Sequence, residues 1–337
     1  MDEPSHMTVM AKLSVLDLAP ITEGSDTSTA FQNARSLAQH AERLGYHRFW
    51  MAEHHSMPGI ASAATSVALC FVAAATSRIR VGAGGIMLPN HSPLQIAEQF
   101  GTLEAMFPGR IDLGLGRAPG TDRAAAQALR RKLDTDPNDF PRDVLELINY
   151  FKAPEPGQRV RAIPGEGQQV PIWILGSSLF GAQLAAMLGL PYAFASHFAP
   201  AQMMAALKLY REAFRPSERL ERPYVMLGFN VFAADTDEEA AYLATSVQQA
   251  FVALRAGQPT RLKPPFEGFA DTLPLPHRQA LDEVLRCSAI GGPDAVRAAV
   301  AEFVDQTQAD ELMITSQIFD HTARLKSYEL LAAVGIA

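Results

Sequence analysis

Three stretches of the chain place reactive residue types where an apolar run stops. The first, FWMAEHH from Phe49 to His55, ends in Glu53-His54-His55. Alternation along a strand puts Trp50, Ala52 and His54 on one face. We assign that face to an interior, with His54 at its mouth beside a carboxylate, as expected of a general acid or base near neutral pH. His54 and His55 point to opposite sides of a strand, so they do not share one ion, and no metal site is expected. Glu53 and His55 are expected to anchor the following loop. The second stretch, VGAGGIMLPNHSPL from Val81 to Leu94, carries Gly84-Gly85. Paired glycines in a strand mark either a bulge or a place where backbone closely approaches a ligand such as a flat ring. In the third, WILGSSLFGAQLAAMLG, a strand is followed by Gly176-Ser177-Ser178 and then a helix. Unsatisfied N–H groups and two hydroxyls there suit an anion, although capping by either serine accounts for the same residues. Arg117, in LGLGRAPGTD, adds a fixed cation suited to phosphate or carboxylate.

The elements that would position these groups alternate regularly. Eight short apolar runs (Leu13 to Leu18, His47 to Ala52, Ile79 to Gly84, Ile111 to Leu115, Pro171 to Leu175, Tyr192 to Ala195, Tyr224 to Phe232 and Glu311 to Thr315) are separated by stretches of helical period. Gly45 and Gly189 mark helix ends, while Asp26 or Thr27, Ser92-Pro93 and Thr236 mark starts. This pattern predicts an α/β fold, a (β/α)8 TIM barrel, in one domain spanning 1–337. Two insertions break it. One follows strand 4, from Arg117 to about Gln169, with a helix near Asp139 to Phe151. The other follows strand 7 and is proline-rich, from Gly257 to Gly292, where a lid or mobile loop is expected. In such a barrel the C-terminal strand ends face one mouth, so Asp17, His54, Gly84-Gly85, Arg117, Gly176-Ser177-Ser178, His197 and Thr315-Ser316 are expected to converge there. One phosphate fits this set better than two, because no dinucleotide fingerprint precedes a helix.

Composition narrows the class. The 337 residues are 48% hydrophobic, enough for a large core, and the net charge of −7 argues against a phosphate-backbone surface and hence against a nucleic-acid partner. Cys70 and Cys287 show neither metal-type spacing nor a disulfide framework, and neither a secretory signal nor a membrane span is seen. A cytoplasmic protein is expected.

The order of these motifs resembles the bacterial luciferase-like family of flavin-dependent monooxygenases over nearly the whole chain. The resemblance is carried by FWMAEHH, by VGAGGIMLPNHSPLQIAEQFGTLEAMFPGRIDLGLGR, by ILGSS and by GGPDAVRAAVAEF. SVLDLAPI and GLPYAFASHFAP are similar to the subgroup called luciferase family oxidoreductase, group 1. The resemblance implies a (β/α)8 barrel using reduced FMN and oxygen on a small organic substrate. It implies that His54 lies near the reacting edge of the flavin and assists proton transfer. Gly84 and Gly85 would be joined by a cis peptide under the ring, and Arg117 and Ser177, with Gly176 and Ser178 beside them, would hold the flavin phosphate. It further implies a mobile loop at 257–292, a separate NAD(P)H-dependent flavin reductase and a homodimer. Light-emitting luciferases carry a cysteine where Gly116 stands, so light emission is not implied. Phe194, Phe198 and Phe229 are proposed to line the pocket.

Other functions are compatible with the same residues. The deazaflavin F420 also presents a phosphate and a flat ring, which makes an F420-dependent hydride-transfer oxidoreductase the main alternative. A non-catalytic flavin-binding protein is another. A phosphate-binding lyase is disfavoured by the lack of a strand-interior lysine.

Overall fold

The computed structural model describes residues 11–118, 123–129, 136 and 139–335. The first half of the chain runs β1 (Lys12–Asp17), α1 (Thr27–Leu44), β2 (Arg48–Met51), α2 (Thr65–Ala74), β3 (Arg80–Met87), α3 (Pro93–Met106), β4 (Ile111–Gly116), α4 (Arg123–Leu129), α5 (Phe140–Tyr150) and β5 (Ile172–Gly176). The second half runs α6 (Leu179–Leu188), β6 (Tyr192–Phe194), α7 (Met203–Ala213), β7 (Val225–Ala233), α8 (Asp237–Arg255), α9 (Leu275–Val284), β8 (Ser288–Gly291), α10 (Pro293–Thr307), β9 (Glu311–Thr315) and α11 (His321–Ala333).

Eight parallel strands close in the order β1-β2-β3-β4-β5-β6-β7-β9, with β9 returning to β1 and β6 pairing β7. This is the expected (β/α)8 barrel. The residues predicted to start and stop helices do so. Asp26 accepts from Thr29 N at 2.8 Å and Thr236 from Glu239 N at 3.2 Å, while Gly45 and Gly189 take left-handed φ values of 84° and 60°.

A ninth strand was not expected from the sequence. β6 has three residues and β7 has nine, so β6 covers only Val225 to Leu227 and leaves the upper part of β7 unpaired on that side. The insertion after strand 7 returns through β8, which pairs with Asn230 to Ala233 and covers that edge. The insertion is therefore not wholly irregular. It contains a short 3-10 turn at Phe269–Thr272, α9 and β8.

Alternation divides each strand between two cores. Outward residues such as Val15, Phe49, Val81, Leu113 and Phe229 pack under the helices. Inward residues form a small layer of Leu16, Trp50, Ala52, Trp173, Ala193, Met226 and Met313. Below that layer lies a buried ionic network. Arg48 bonds Asp112 at 2.8 Å and Glu311 at 2.9 Å, Trp50 Nε1 donates to Asp112 at 3.2 Å, and Tyr224 donates to Glu311 at 2.9 Å. Trp173 lies edge-on to Trp50 and Tyr224, with Arg48 over its ring. Among the described residues this network fills the barrel interior below the layer, and the large cavity lies towards the C-terminal strand ends. Among the described residues no helix is long and apolar enough to cross a membrane.

Candidate active site

A cavity of about 480 Å³ opens at those strand ends, within the usual range of about 300–1,000 Å³ for a small-molecule site. Its floor is the inward layer, including Leu16, Trp50, Met226 and Met313. His54, Gly84, Gly85, Arg117, Gly176, Ser177 and Ser178 all line it.

Gly84 and Gly85 interrupt β3. The peptide between them is cis, and the β3–β4 register shifts between Ala83 and Ile86. Neither glycine has room for a side chain. A Cβ on Gly84 would sit 2.9 Å from Trp50 Cε3, and one on Gly85 would sit 2.7 Å from Gly114 O. The pair is thus a bulge in β3, and it presents backbone without side chains to the cavity.

Arg117 follows β4 directly and lies over the Phe180 ring of α6, 4.1 Å from its centroid. Ser178 occupies the N-cap of α6 in extended conformation, yet no side chain caps the helix and its first turn carries no acidic residue. The first-turn N–H groups, two serine hydroxyls and a guanidinium are therefore gathered at one corner, which is the donor set of an anion site.

Glu53 is buried and ties two loops together. Its Oε1 accepts from His55 Nε2 at 2.6 Å and His91 Nε2 at 2.8 Å, and its Oε2 accepts from Met87 N at 3.0 Å. Burial opposes its ionisation, but the hydrogen bonds from His91 and His55 outweigh that and hold its carboxyl below the ordinary glutamate value. β2 ends at Met51, so the two histidines follow the strand instead of lying on it; His54 lines the cavity, whereas Glu53, His55 and His91 bring three ligand-type atoms within 4.8 Å of one another. Both imidazoles hydrogen-bond the same Glu53 oxygen, which draws the three together.

Several expected members lie elsewhere. Asp17 is fully buried and faces the helix layer, paired with Arg324 of α11 at 2.8 Å, because Leu16 and Leu18 take the inward positions. Thr315 and Ser316 are also buried and do not line the cavity, which Met313 of β9 and Gln317 beyond it reach instead. Phe194 and Phe198 line it, whereas Phe229 packs outward on Phe303. The roof comes from segments without reactive motifs in the sequence. Met57, Gly59 and Ile60 follow β2, and Pro259, Thr260 and Leu262 belong to the insertion after α8. Leu262 is pinned across the mouth by backbone bonds to Ile21 and Glu23.

A family model for luciferase-like monooxygenases matches residues 10–310. The chain belongs to the luciferase-like monooxygenase family. Membership implies an oxidoreductase. A protein of Escherichia coli strain K12 named luciferase-like monooxygenase is 53% identical over 94% of this chain and 95% of its own length. An N-acetyl-S-alkylcysteine monooxygenase of Bacillus subtilis is 32% identical over 97% and 99%. The crystal structure of apo-MsnO8 superposes with a TM-score of 0.89 at 37% identity, covering 96% of this chain and 98% of that one. More distant barrels share the fold alone. They include the oxygenating constituent of 3,6-diketocamphane monooxygenase from Pseudomonas putida in complex with FMN (TM-score 0.70, 18% identity, 96% and 97% covered). An F420-dependent secondary alcohol dehydrogenase is equally close in shape (TM-score 0.70, 14% identity, 96% and 99% covered).

Proposed function

We propose that this protein is the oxygenase of a two-component system, binding reduced FMN in the barrel mouth and using dioxygen to oxygenate a small organic substrate. The observation that carries the reading is the presence, in one cavity, of a side-chain-free glycine shelf and a separate anion corner, with His54 also on the wall. A planar ring bearing one phosphate on a flexible tail fits that pair of features. Arg117, Ser177, Ser178 and the first turn of α6 would hold the phosphate, while Gly84-Gly85 would let the ring lie against backbone. Gly176 would keep the strand end clear for the tail.

Bound reduced FMN supplies the electrons and the position at which oxygen is activated. The chain supplies everything around that event. Leu16, Trp50, Met226 and Met313 keep the floor of the chamber apolar and would exclude water from the chemistry the flavin supplies. His54 would hold or deliver a proton at its imidazole, near the ring edge. The 257–292 segment, whose Pro259, Thr260 and Leu262 roof the cavity, would open to admit the flavin and close over it.

A flavin reductase is part of this reading, since no nicotinamide fingerprint is found in the chain, and the diketocamphane protein is itself called an oxygenating constituent. A homodimer belongs to the same reading. F420-dependent hydride transfer is the second reading, favoured by the F420-dependent barrel of the same shape. Equilibrium binding of FMN and riboflavin tests the phosphate corner. We expect FMN to bind at least about tenfold more tightly, as charge-assisted bonds worth roughly 1.5–3 kcal/mol imply. Equal affinities would contradict the assignment.

A further inference from the structure

His197 follows β6 and lines the same cavity, but the flavin reading gives it no task. Its ring sits where β7 provides no side chain. A Cβ on Gly228 would lie 2.1 Å from His197 Nδ1, so only glycine at 228 lets the imidazole take this place. Asn230 Nδ2 donates to the His197 carbonyl at 2.8 Å, and the ring stands edge-on to Phe198 with centroids 4.9 Å apart, which fixes the residue from two sides.

Nδ1 is buried and meets no hydrogen-bond partner among the described residues. A proton there would be a buried donor with no acceptor, a costlier state than an unused lone pair, so the ring proton belongs on Nε2. Nε2 is the nitrogen left open to the cavity. Burial, reinforced by nearby His54, pushes the imidazole down to about 4, so at neutral pH it is an uncharged donor and not a cation. Trp50, Ala193, Met226 and Met313 make the floor of this cavity apolar, so a bound molecule meets few polar groups there, His197 and His54 among them.

We propose that His197 orients the organic substrate by donating a hydrogen bond from Nε2 to an uncharged acceptor oxygen. The chamber therefore takes compact, largely apolar molecules bearing a ketone- or amide-type carbonyl. This rests on the reading that the cavity is where substrate meets flavin, but the hydrogen bond itself can be measured without flavin.

The experiment compares acetophenone with α-methylstyrene, which has the same shape with =CH2 in place of the carbonyl oxygen. Both are titrated by ligand-observed NMR into the protein alone and into the FMN-loaded protein. We expect the affinity ratio of acetophenone to α-methylstyrene to fall about tenfold in His197→Phe, and similarly in Gly228→Ala, where the added methyl displaces the ring. His197→Gln, which restores a donor, is expected to recover part of the preference. A shift of threefold or more in either displacing variant supports the inference, and a smaller shift in both overturns it. FMN binding is measured on the same samples. Loss of the preference with intact FMN binding supports the role of His197. An unchanged preference with no FMN binding in the wild type would overturn both this inference and the flavin reading. A changed preference with no FMN binding would overturn the flavin reading alone.

Discussion

Arg117 lies over the Phe180 ring, 4.1 Å from its centroid, joining the end of β4 to the start of α6. The ring holds an exposed guanidinium on the cavity that Ser177 and Ser178 also line, and on the proposed function it would meet a phosphate as a preorganised cation. Arg117→Ala is expected to weaken FMN binding about tenfold or more and riboflavin binding less than threefold, as read by fluorescence titration. Phe180→Ala should give a smaller loss of the same kind. Equal weakening for both ligands would mean that Arg117 does not meet the phosphate.

The two shelf glycines should respond differently to a methyl group. On Gly84 the methyl meets the Trp50 and Leu16 side chains at 2.9 and 3.1 Å, which can shift. On Gly85 it meets the Gly114 carbonyl at 2.7 Å, and backbone within a sheet yields less. Both substitutions should destabilise, Gly85→Ala more than Gly84→Ala, within about 1–3 kcal/mol for overpacking. Urea unfolding of the two variants checks the order.

Asp17 and Arg324 form a buried pair that closes β1 against α11, with Arg324 also donating to Ser316 O at 2.7 Å. Arg324→Met leaves a carboxylate buried without its partner, and a loss of about 3–5 kcal/mol is expected. Asp17→Leu combined with Arg324→Met should recover much of it. Chemical denaturation of the single and double variants provides the comparison.

Stability should fall on the acid side of neutrality. Burial holds His47, His197 and His321 down to about 4, with Arg48, His54 and Arg324 respectively adding to the effect. The unfolded chain takes up these protons near pH 6.5 and the folded chain only near 4. Each histidine therefore contributes stability that is complete above about pH 6.5 and drains away as the pH falls towards 4, at no more than about 1.4 kcal/mol per pH unit. Glu53, held below its ordinary value, adds a further loss below about pH 4.5. Denaturation midpoints measured from pH 7.5 to 4 should decline, and His197→Phe should flatten that slope. An unchanged slope would show that His197 is not the buried, uncharged imidazole described.

The barrel was legible because its eight staves are short apolar runs bounded by capping residues, and local chemistry decides each. β8 was not, since its pairing partner is the spare edge of β7, a tertiary fact with no local signature. His54 and the glycine shelf stood out because reactive or side-chain-free residues ended an apolar run. Asp17 and Phe229 lie off the cavity for one shared reason. A polar or aromatic residue near a strand end suggests the mouth, but alternation decides the face: Leu16 and Leu18 take the inward positions beside Asp17, and Gly228, in line with Met226, takes the one beside Phe229. The roof from Met57 to Ile60 and from Pro259 to Leu262 depends on where long loops land, which no periodicity encodes.

The most direct test of FMN-dependent oxygenation is an anaerobic titration of the protein with reduced FMN, run beside reduced F420, followed by admission of air while absorbance is recorded. We predict that reduced FMN binds and that air produces a transient oxygenated-flavin spectrum before oxidised FMN appears. Binding of F420 alone, with no such species on exposure to air, would contradict oxygenase chemistry and establish hydride transfer in its place.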